Sequence, residues 1–225
     1  MRPYPLFMRL DGCRCLVVGA GGVGRRKLAA LIPCGAAEIL VLDTSPPDAE
    51  LAALLACPGV RFEQRTFSAD DLAGRSLVFA ATGVPAVNAD IARLCRDGGV
   101  LCNVIDDPAA GSFIVPAHFA CGDITVALST GGHSPALARR IRMDLEAWFG
   151  NRYDGLVVLM GRLRPLVLAL GDETGQNAAL FRTIVGSPLV DALAAKDRQR
   201  CEDLLHTLLP VELHPHIVEL LHDIA

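Results

Sequence analysis

Gly19-Ala20-Gly21-Gly22-Val23-Gly24 is the first run in the chain whose residue types and spacing point to chemistry. It has the GxGxxG form, follows the apolar run CLVV and opens a helix-like stretch, the context in which this otherwise weak motif carries information. Gly19 would permit a tight turn, Gly21 would let backbone approach a pyrophosphate, and Gly24 would let a helix pack closely on a strand. Gly22 and Val23 would sit at a helix N-terminus, whose unpaired N–H groups and partial positive charge attract anions. Asp43 ends the run EILVLD, 19 residues after Gly24, close to the ~20 at which an acid meets the adenosine ribose in dinucleotide folds. A carboxylate there accepts from the ribose hydroxyls and repels a 2′-phosphate. Thr44, Ser45 and Pro46 bring no arginine to offset that repulsion, so the pattern favours NAD over NADP. Thr44 and Thr82, each following a strand-like run, complete the predicted cofactor-binding set.

Two further segments combine polar groups with turns. Asn103-Val104-Ile105-Asp106-Asp107-Pro108 leaves the carboxyl end of a fifth strand-like run, where ligands of open α/β sheets bind, although Asp-Asp-Pro by itself also describes a solvated turn. Ser129-Thr130-Gly131-Gly132-His133-Ser134-Pro135 sets hydroxyls, two glycines and an imidazole before a helix start, able to hold an anion or simply to cap the helix. Arg139, Arg140, Arg142 and Arg152 cluster around that helix and could pair with carboxylates, or form a solvated basic face. His214 and His216 form an HxH pair with His206 and His222 nearby, but in a helical tail an i, i+2 pair points to different faces, so no metal site is expected.

The elements that must position these residues follow from periodicity. From residue 14 to about 105, CLVVG, EILVLD, VRFEQ, SLVFAAT and VLCNVI alternate with helix-length stretches, the rhythm of a parallel sheet covered on both faces. Gly98 and Gly99 would close a helix over Asn88 to Asp97. FIVPAHFACGDITVALST then carries two β-rich runs around a Cys121-Gly122-Asp123 turn. Ser134 as N-cap and Pro135 at the first position begin a helix whose Leu137, Ile141, Leu145 and Trp148 form a stripe that should pack on something. A break over Gly150 to Gly155 leads to a helical tail punctuated at Pro165, Gly171, Pro188 and Pro210. The reading is α/β: a Rossmann-like doubly wound sheet over 1–112, a small α+β dimerisation region over 113–150 and a helical domain over 151–225.

With 52% hydrophobic and 20% charged residues the 225-residue chain can fill a core, which excludes disorder as its main state. A net charge of -4 argues against nucleic acid as a partner. The opening MRPYPLFMRLDG lacks the apolar stretch of a signal peptide, and the best membrane candidate, Leu156 to Leu170, is broken by Arg162, Arg164 and Pro165, so a cytoplasmic location is expected. Cysteines in apolar runs (Cys15, Cys34, Cys95, Cys102) read as reduced core residues, and Cys13 and Cys15 lack CxxC spacing.

Taken together, GAGGVGRRK, NVIDDP, SFIVPA and STGGHSPALARR, in that order, resemble the siroheme-synthase-type precorrin-2 dehydrogenases, including members that are also sirohydrochlorin ferrochelatases. The resemblance covers residues 1 to about 150. It implies NAD-dependent oxidation of precorrin-2 to sirohydrochlorin by an interlocked homodimer, with Asp106 as the catalytic carboxylate and Asn103, Thr130, His133 and Arg139 toward the substrate. It leaves open iron insertion in the same cleft, with ferrous iron as substrate. Ser129-Thr130 departs from the two serines of many relatives by one methyl group beside the implied pocket. The competing reading is a non-catalytic NAD-binding redox sensor, against which Asp106 and STGGHSP both argue.

Overall fold

A computed structural model describes residues 3–171 and 174–225; Met1 and Arg2 of the first predicted region, and residues 172 and 173 of the third, lie outside it. Two compact units divide the chain, Pro3–Val115 and Pro116–Ala225.

The first unit runs β1 (Arg14–Val18), α1 (Gly22–Leu31), β2 (Glu38–Asp43), α2 (Ala49–Leu55), β3 (Val60–Gln64), β4 (Leu77–Ala80), α3 (Pro85–Asp97) and β5 (Leu101–Val104). Every pairing is parallel and the strand order is β3-β2-β1-β4-β5. Alternate residues of β1 go to opposite faces: Cys15 and Val17 pack with Leu28, Leu31 and Leu51 from α1 and α2, while Leu16 and Val18 pack with Ile91 and Cys95 from α3. Coverage on both faces explains the unbroken apolar runs. The register sets Val18 against both Leu42 and Ala80, and Ala80 against Val104, so Gly19, Asp43, Ala81 and Ile105 all emerge at one edge of the sheet. The order in which strands are added reverses at β1, and the crevice outside such strand ends is where ligands of these sheets bind.

Two local details differ from expectation. The third helix begins at Pro85, with Val84 before it, three residues earlier than Asn88, because proline is well suited to the first helical position. Cys34 is exposed, since its apolar run ends in a 3₁₀ turn at the surface.

The second unit opens with the antiparallel hairpin of β6 (Ala117–Cys121) and β7 (Ile124–Leu128), joined by Gly122-Asp123. Next come α4 (Pro135–Phe149), α5 (Asp154–Ala169), α6 (Thr174–Val185), α7 (Leu189–Ala194), α8 (Arg198–Leu208) and α9 (Ile217–Leu220). Pro165 does not end a helix as expected: α5 passes through it, because Leu159, Leu163 and Val167 form one fully buried stripe with Ile184, Leu189 and Leu205. That burial outweighs the cost of about 3 kcal/mol for an interior proline. Gly155 likewise lies inside α5, where a Cβ would come within 3.3 Å of Leu193 Cβ, so the break is confined to 150–153.

Three of the four residues of the α4 stripe are exposed, and Leu145 is half-buried. Leu137 and Trp148 are 51% and 57% exposed and Ile141 is also exposed, because the side of α4 that meets the hairpin carries Ala138, while Phe149 packs edge-on against Phe119.

Candidate active site

The glycine loop is held by backbone contacts that no side chain would allow. A Cβ on Gly24 would lie 1.9 Å from Gly19 O, and one on Gly19, whose φ is +93°, would lie 2.4 Å from Ala81 O. The first turn of α1 is thereby pressed against the ends of β1 and β4. In front of Gly21 and Gly22, by contrast, a Cβ would meet nothing within 4 Å. A tight base below and open space above, at the start of a helix, fit a pyrophosphate.

Asp43 closes this loop from the side. Its Oδ2 accepts from Ala20 N–H at 2.6 Å and its Oδ1 from Ser45 N–H at 2.8 Å. A carboxylate oxygen has two acceptor sites, so each retains one for a ribose hydroxyl. Thr44 is exposed beside it, and its carbonyl accepts from Gln64 Nε2 at 3.1 Å. Thr44, Ser45 and Pro46 bring no arginine, but one from α1 shares Ala20 with this acid. Arg25 donates from Nε to Ala20 O at 2.8 Å, from Nη1 to Glu50 at 2.8 Å and from Nη2 to Asp48 at 2.8 Å. Sequence proximity to Asp43 was the wrong guide, because α1 returns its first turn to the segment that follows β2.

At the other strand ends, Asn88 is fully buried and makes four hydrogen bonds. Its Oδ1 accepts from Thr82 N–H at 3.1 Å and Thr82 Oγ1 at 2.7 Å; its Nδ2 donates to Thr82 O at 3.1 Å and to Asp106 Oδ1 at 2.9 Å. Thr82, expected at the cofactor, shares its hydroxyl between Asn88 and the backbone of Val84. Asp106 is exposed, with one oxygen fixed and Oδ2 unpartnered among the described residues. Asp107 instead caps its own turn, accepting from Ala109 and Ala110 N–H at 3.1 and 3.3 Å. Asn103 is buried and donates to Phe113 O at 3.0 Å. Asn88 escaped the sequence reading, yet it left a signal: it shares the helical stripe of Ile91, Ala92 and Cys95, where a polar residue must find partners.

In the second unit, STGGHSP satisfies itself. Thr130 Oγ1 donates to Ser134 O at 3.1 Å and accepts from Ser134 N–H at 3.2 Å, Ser129 Oγ accepts from Gly131 N–H at 3.1 Å, and Ser134 Oγ caps Leu137 N–H at 3.2 Å. His133 is exposed. Of the four arginines, Arg140 pairs with Asp144 at 2.9 Å, Arg142 with Glu146 and Arg152 with Asp191 at 3.1 Å, so Arg139 alone lacks an ion pair among the described residues. Two of the four are thus paired along α4 and a third with α7. No group of three or more His, Cys, Asp or Glu side chains suited to a metal ion occurs among the described residues.

A parallel sheet of this order, with GxGxxG after the strand where strand order reverses and an acid ending the next, defines the first unit as a Rossmann-type dinucleotide-binding domain. A family model described as "Putative NAD(P)-binding" matches residues 6–117, and one described as "Sirohaem biosynthesis protein central" matches 122–147. In that order the two matches resemble the arrangement of the siroheme synthases, to which the chain is similar over nine-tenths of its length. It is 36% identical to a siroheme synthase of Pseudomonas entomophila (strain L48) over 205 residues, 91% of this chain and 44% of that protein. It is 35% identical to one of Methylococcus capsulatus over 206 residues, 42% of that protein. The chain therefore spans less than half the length of these relatives. Among solved structures, SirC, a precorrin-2 dehydrogenase, matches with a TM-score of 0.72 at 25% identity, covering 89% of this chain and all of that one.

Proposed function

We propose that this chain oxidises precorrin-2 to sirohydrochlorin with NAD, in siroheme biosynthesis. The observation that carries this reading is Asp106: a carboxylate at the ligand-binding edge of a dinucleotide sheet, one oxygen held by a buried asparagine and the other free. A protein that only sensed the cofactor would have no use for it. Bound NAD supplies the hydride acceptor. The loop Gly19–Gly24 and Asp43 bind and orient the dinucleotide, with Val23, Thr44 and Thr82 bordering it. Asp106 Oδ2 takes the proton that leaves as the hydride departs, so the substrate loses two hydrogens in all and NADH and a proton are released. Asn88 fixes Oδ1 and so aims the carboxylate. Asn103, Thr130, His133 and Arg139 are assigned to the substrate on chemistry: a tetrapyrrole rich in carboxylates needs donors and a cation.

The chain works in this reading as a cytoplasmic homodimer, with 113–150 as the dimerisation region. Supporting this, the α4 stripe of Leu137, Ile141 and Trp148 is exposed in the single chain and a second copy would cover it. No described helix is long and apolar enough to cross a membrane.

The deciding experiment follows the absorbance of precorrin-2 with NAD, with and without the protein. Appearance of sirohydrochlorin together with NADH is expected; an unchanged spectrum overturns the assignment. Ferrous iron added after oxidation tests iron insertion as a second activity, and a monomer in sedimentation at micromolar concentration overturns the homodimer.

A further inference from the structure

Arg25, in the first turns of α1, has a partner on each of its three guanidinium nitrogens. Nε is spent on Ala20 O, Nη1 on Glu50 and Nη2 on Asp48, with the side chain only 20% exposed. The carbonyl it binds belongs to the residue whose N–H is bound by Asp43. Arg25 and Asp43 therefore grip the same peptide residue from its two ends, so that Ala20 links the guanidinium to the acid that would select the ribose.

An unpaired guanidinium at that position would be the ordinary partner of a 2′-phosphate, since arginine binds phosphate through charge and a planar fork of donors. Two carboxylates neutralise that charge. We infer that Asp48 and Glu50 form a specificity lock on Arg25, retaining it as a positioning residue for the glycine loop while denying it to NADP. Selection of NAD then has two components: repulsion from Asp43, and an arginine neutralised by the carboxylates of Asp48 and Glu50. The inference rests on the dinucleotide reading of this loop, and not on precorrin-2 as substrate.

The lock can be opened without removing the arginine. In D48N/E50Q both carboxylates become amides of the same shape, and Asn retains the N-cap that Asp48 gives Leu51 N–H. Binding of NADH and NADPH is followed by nucleotide fluorescence on the full chain, independently of any tetrapyrrole. The double variant should bind NADPH about ten-fold more tightly than the unmutated chain and NADH within about three-fold of it, a gain that added salt reduces. The further change R25Q should abolish the gain. Unchanged NADPH affinity alongside retained NADH binding overturns the lock. A gain that survives R25Q also overturns it, since removal of negative charge alone would then account for the result. If the unmutated chain binds neither nucleotide, the dinucleotide reading fails and the lock with it; if it binds NADH but leaves precorrin-2 unchanged, only the proposed reaction fails.

Discussion

Two glycine-containing loops each lead into a helix, and they are built in opposite ways. Gly19–Gly24 is held by distant partners: Gly19 N–H donates to Leu42 O at 2.7 Å, Ala20 N–H to Asp43, and the loop rests on Ala81. Ser129–Pro135 is held by its own residues, none more than four positions apart. The first loop exists because the sheet exists, and its glycines are steric requirements. The second is a local cap, bonded within itself and to the helix it opens. A loop locked from outside keeps its polar surface ready for a ligand, whereas one that satisfies itself must give up internal bonds to bind one.

Asp106→Ala tests the sheet side of this comparison most severely. Proton transfer to a positioned side chain contributes ~10² to 10⁴-fold, so turnover should fall by about that factor with NADH binding nearly unchanged, and Asp107→Ala should do much less. Gly24→Ala comes next: its Cβ would collide with the backbone oxygen of Gly19, and a loss of about 3 kcal/mol or more in denaturant unfolding is expected, together with NADH binding. Asp43→Ala should narrow the preference for NADH over NADPH about ten-fold and destabilise the loop by roughly 1 to 3 kcal/mol, since Ala20 N–H loses its acceptor. Gly131→Ala meets no backbone, only a positive φ of 65°, and should cost about 1 to 2 kcal/mol without affecting NADH. The smallest effect is expected from Ser134→Ala, about 1 kcal/mol from the lost cap, visible as a small fall in Tm. Equal costs for Gly24→Ala and Gly131→Ala would erase the distinction between the two loops.

Legibility followed the range of the interactions. The order of strands and helices to residue 105, the hairpin, and the Ser134-Pro135 helix start could all be read, because apolar runs, caps and tight turns are decided by neighbours in sequence. Pro165 misled for the same reason: as a local signal it marks an end, but the buried stripe of α5 is a tertiary fact. Arg140 and Arg142 have acids at i+4 on α4, a pairing already legible in the sequence, whereas the partner of Arg152 on α7 was not.

At the site, the amino-acid sequence alone determined which groups were available: glycines at steric spacing, an acid at the end of β2, and a carboxylate after β5. Only the tertiary structure decided how those groups are held. Asn88 reaches Asp106 across eighteen positions, and Arg25 reaches Asp48 and Glu50 across twenty-three and twenty-five. Such pairings depend on parallel strands placing their carboxyl ends at one edge, a register set by burial of both sheet faces, and no local propensity encodes which side chains then meet.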